Sequence, residues 1–153
     1  MPYEPSGGYR IDHDRNQREH RERLYWLTLA SGVINAVMVP LHLAELETAF
    51  VGPLIGGVIG SLLVAGMKGS TDGYFRSLVD TGLSWMAFGL GLAMLLLWID
   101  SNTSLMDRLV PGFDRLAGNS LLLALVLGLL FHAGYAFAYM RDRLPFGGDD
   151  VAQ

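Results

Sequence analysis

Two groups of polar side chains lie where the surrounding sequence is apolar, and they are the residues from which chemistry could come. His42 and Glu45 stand three apart, so on a helix they share a face and offer an imidazole nitrogen and a carboxylate to one metal ion. Glu47 and Asp100 are placed to approach the same rim. Acidic residues in such positions also mark where a membrane helix meets water. That is the reading adopted for His42, Glu45 and Glu47: an outer polar lip, with no metal.

The second group is Asn35 and His132, each inside an apolar run where an amide or an imidazole facing lipid is costly. A haem clamped by His42 and His132 would need both at one depth. His42 lies 16 residues past Trp26 and His132 lies 9 before Arg141. At about 1.5 Å per residue the depths differ by roughly 10 Å, so no cofactor is expected. Asn35 lies nine residues past Trp26, which puts it level with His132 near the bilayer midplane. The two are expected to meet across helices, directly or through water, with Ser31 or Ser61 joining. The role expected of His132 is a neutral imidazole held by hydrogen bonds; the alternative is a protonation site.

No catalytic motif accompanies them. There is no P-loop, no HExxH and no GxSxG, and the glycines fall inside an apolar span rather than after a strand. The chain has no cysteine, which removes thiol nucleophiles and thiolate-held clusters. A formal charge of −4 gives no electrostatic case for nucleic acid. An enzyme is therefore not expected.

The elements that must position these residues are four apolar blocks. With 153 residues, 51% hydrophobic and 17% charged, the chain suits one all-α integral membrane domain. Helices are expected at about 24–44, 49–67, 83–99 and 120–140, forming a four-helix transmembrane bundle over 24–143. Residues 1–23 form a tail and a charged helical extension without a cleaved signal, and 144–153 a loose tail. Between them, Asp72, Arg76 and Asp80 line one face of an amphipathic entry to the third helix, opposite Tyr74, Phe75, Leu78 and Val79.

The second block, Ala49 to Met67, carries no charge, and its glycines at 52, 56 and 60 recur every fourth residue. Gly57, Ser61 and Ala65 make a second small stripe, and Ala124, Gly128 and His132 another on the fourth helix. Small stripes let helix backbones approach closely in lipid. The second helix is thus expected at the centre of the bundle, with neighbours on two sides.

Nine of the eleven basic residues fall on one side of this topology, which places both termini in the cytoplasm. The membrane expected is a bacterial inner membrane or its equivalent. The function expected is structural or accessory: a protein that packs through small-residue faces with itself or with a larger membrane complex. The alternative is a homo-oligomeric small transporter or proton-linked channel that uses His132. The lipid bilayer is the one partner common to both.

Overall fold

The computed structural model describes residues 8–46, 51–67, 73–103, 106–110 and 113–143, with side chains from Glu22 onward. Glu47, the joint after Met67 and the tail from Leu144 lie outside the described residues. Within them the chain is 94% helical with no strand. The elements are α1 (Gly8–Leu43), α2 (Val51–Gly66), α3 (Gly73–Thr103), α4 (Met106–Leu109), α5 (Phe113–Gly118) and α6 (Ser120–Arg143).

Three helices are long and apolar enough to cross a membrane: the Glu22–Leu43 part of α1, α3 and α6. At about 1.5 Å per residue, the 31 residues of α3 extend about 46 Å, beyond the roughly 30 Å of a bilayer core. The 16 residues of α2 reach only about 24 Å.

The centre of the molecule is α6, not α2. It packs most extensively against α3 and next against α1, while α2 rests chiefly on α1 at the edge. The reason lies in side-chain size. The inward face of α6 carries Leu122, Leu125, Phe131, Tyr135 and Ala138, all buried, whereas Val58 is the one buried residue on α2. Large side chains interlock with two neighbours at once; a glycine-rich helix has little with which to do so.

The main core lies at the amphipathic entry to helix three. Helix α3 runs unbroken from Gly73, and Phe75, Leu78 and Val79 pack with Phe131, Tyr135 and Ala138. Tyr25 closes this end, with ring centroids 5.8 Å from Tyr74, 5.7 Å from Phe75 and 6.4 Å from Tyr139. The apolar face was legible in the sequence, but its partner is α6.

Close backbone approach occurs where α3 meets α6. A Cβ at Gly134 would lie 3.1 Å from Gly82 Cα and 2.8 Å from Trp85 Cγ, and one at Gly82 would lie 2.7 Å from Phe131 O. Both positions therefore require glycine, and the two helices approach closely there. The residues responsible are isolated glycines rather than a repeating stripe.

Candidate functional site

The buried stripe of α1 is largely polar. Of its four buried residues among those described, Thr28, Ser31 and Asn35 are polar and Met38 is the fourth. They follow one another at i, i+3, i+7 and i+10, a single stripe of the helix. Against a membrane helix such a stripe is normally apolar, so this one calls for partners from α6 and α2.

His132 receives two. Its Nδ1 donates to Gly128 O, one turn earlier on α6, at 2.7 Å. Its Nε2 lies 3.4 Å from Ser61 Oγ of α2. Ser61 in turn donates its hydroxyl proton to Val58 O at 2.8 Å. His132 packs on Gly32 of α1, where an added Cβ would come within 2.9 Å of His132 Cβ. Glycine at 32 thus gives the imidazole its space, and His132 is 4% exposed.

Asn35 is fully buried and packs against Gly128 from the other side, its Nδ2 standing 2.7 Å from where a Cβ at that position would be. Gly128 thus joins the two residues: its carbonyl accepts from His132, and its missing side chain makes room for Asn35. Among the described residues no hydrogen bond links Asn35 to His132, and neither Oδ1 nor Nδ2 of Asn35 has a partner. Two turns along the seam, the Tyr135 hydroxyl is directed at Thr28 without reaching hydrogen-bonding geometry, and Thr28 donates to Leu24 O at 3.0 Å.

The outer lip is assembled differently from a metal centre. His42 Nε2 accepts from Asn119 Nδ2 at 2.7 Å. Asn119 Oδ1 accepts from Leu122 N at 3.0 Å, the geometry of an N-cap on α6. Asp100 accepts from Met106 N at 3.2 Å and so holds the turn after α3, away from the rim. No group of three His, Asp or Glu residues placed for a metal occurs among the described residues.

Glu45 closes α1. Its φ is 54°, and the hydrogen bonds Leu46 N to Leu41 O (3.1 Å) and Glu45 N to His42 O (3.2 Å) form a Schellman cap. His42 and Glu45 line an open pocket of about 710 Å³, together with Met38, Leu46, Val51 and Leu121.

Among the described residues, nothing in its own chain covers the glycine stripe of α2. A Cβ at Gly52, Gly56, Gly57 or Gly60 would meet no atom within 4 Å. At 100° per residue, Gly56 lies about 200° around the helix from the buried Val58. The expectation that α2 stands at the centre of the bundle with neighbours on two sides is not met among the described residues, where α2 rests chiefly on α1. The second stripe divides: Ser61 meets His132 and Ala65 packs on the core, but Gly57 meets nothing. On α6, Gly128 is buried at the seam and Ala124 is exposed, because the packed face of that helix runs through Leu122, Leu125 and Gly128 instead.

Asn119, Tyr135, Gly82 and Gly134 escaped the sequence reading. Asn119 carried a signal, an asparagine directly before a long apolar run. The others take their roles from partners far away in the chain.

Comparison with family models, curated proteins and solved structures finds no match.

Proposed function

We propose that this chain is a small integral membrane protein of structural or accessory type, a bundle of four membrane-crossing helices that pairs with a second copy of itself through the outward face of α2. The observation that carries the reading is the open space over Gly52, Gly56 and Gly60. Three small residues at every fourth position form a groove into which an identical helix fits closely. Both copies enter the membrane in one orientation, with termini in the cytoplasm, so a two-fold axis along the membrane normal brings the two α2 helices side by side.

Ile59 and Leu63 flank the groove and are exposed, which supplies apolar surface for a partner to cover.

The mass of the protein in a mild detergent tests this. The wild type should run as two copies, and Gly56→Leu and Gly60→Leu should run as one copy with unchanged helicity. A single-copy wild type would end the reading, and co-purification of a different membrane protein in place of the second copy would redirect it to a larger complex.

A further inference from the structure

The Asn35–His132 seam has an unbalanced hydrogen-bond ledger. Gly128 O can only accept, which fixes the proton of a neutral imidazole on Nδ1. The Nε2 lone pair then points at Ser61 Oγ, whose single proton serves either Nε2 or the nearer Val58 O, 2.8 Å away. With that proton on Val58 O both nitrogens of His132 face acceptors, an arrangement that a ring carrying N–H on both nitrogens fills. One turn away, the amide of Asn35 offers two donors and an acceptor with no protein partner, and it is 0% exposed. Buried amides of that kind are ordinarily satisfied by internal water.

The outer pocket of about 710 Å³ has Met38 in its lining, and Met38, itself 2% exposed, stands one turn from Asn35 on the same stripe of α1. An unbranched thioether side chain adapts its shape readily, so it suits a closure that opens and shuts. His42 and Glu45 stand at the pocket's outer side.

We propose that His132 is a proton-binding station, served by water that enters from the outer pocket past Met38 and is held by the Asn35 amide. A hydronium ion in that water gives its proton to the Nε2 lone pair and leaves neutral water. An N–H bond forms, an O–H bond breaks, and no electrons are transferred. Every group belongs to one chain, so the station is independent of pairing through α2.

Among the described residues, no charged group is found in contact with His132. From α1 it meets Gly32 and the Asn35 turn, and from α2 Ser61, on a helix with no titratable residue. Its own helix brings Phe131 and the titratable Tyr135. On α3, Arg76 and Asp80 are exposed, and Tyr74 lies in the aromatic cluster with Tyr25.

The test is nitrogen NMR of the full wild-type chain, labelled at histidine, in phosphatidylcholine–phosphatidylglycerol nanodiscs. His132→Gln assigns the ring by loss of its signals. From about pH 8 to about pH 5 the Nε2 signal should move reversibly from lone pair to N–H. Met38→Trp, which blocks the pocket floor, should slow exchange of that proton with solvent, and Asn35→Leu should abolish the fast exchange. A ring that keeps a bare Nε2 at every pH in a folded chain overturns the station. Exchange untouched by both variants overturns the route.

Discussion

Asn119 and His42 are 77 positions apart and joined by a 2.7 Å hydrogen bond. The same asparagine caps α6 through Leu122 N, so one side chain ties the start of the central helix to the last turn of α1. Asn119→Ala should lower stability by about 1 kcal/mol or somewhat more, because a cap and an inter-helix bond are lost together. His42→Ala should cost less, since the cap survives. Thermal unfolding of both single variants and the double variant checks this, and the two losses should not add.

Glu45 adopts a conformation that favours glycine. Glu45→Gly should relieve the left-handed strain and raise stability by about 0.5–1 kcal/mol, with the Schellman hydrogen bonds kept. A loss of stability would mean that the carboxylate makes a contact worth more than the strain.

Gly82 and Gly134 hold α3 against α6. Gly134→Ala and Gly82→Val should each destabilise by about 1–3 kcal/mol, because the added atoms meet Trp85 and the Phe131 carbonyl rather than open space. Gly91→Ala on the same α3 meets nothing and should leave stability unchanged or slightly raised, since alanine favours the helix. Unfolding in detergent separates the two classes.

These glycines show where reading the chain succeeds and where it stops. The cost of burying an amide or an imidazole in lipid was enough to single out Asn35 and His132, and the structure places both against Gly128. The period of Gly52, Gly56 and Gly60 identified a small-residue face. Period alone does not say whether the chain's own helices or another molecule cover it, and among the described residues its own helices do not. Gly82 and Gly134 have no such period. They matter because α3 and α6 cross there, and a crossing point is a property of two helices. For the same reason the apolar face of Phe75, Leu78 and Val79 is legible from its spacing, while its partner, α6, is not.

Asn35→Leu exchanges an unpartnered amide for an apolar side chain of similar size. The bundle should be as stable or more stable, by up to about 1–2 kcal/mol, while proton exchange at His132 is lost. Thermal unfolding read beside the nitrogen NMR experiment checks both halves of that outcome.

The pairing of α2 is tested most directly by single cysteines in this otherwise cysteine-free chain, oxidised in the membrane and read as crosslinked dimer on a gel. Gly56→Cys and Gly60→Cys should crosslink in high yield. Phe88→Cys, on the exposed face of α3, should not. Equal yields at all three positions, or crosslinking at Phe88→Cys alone, would contradict an interface built on the α2 glycines.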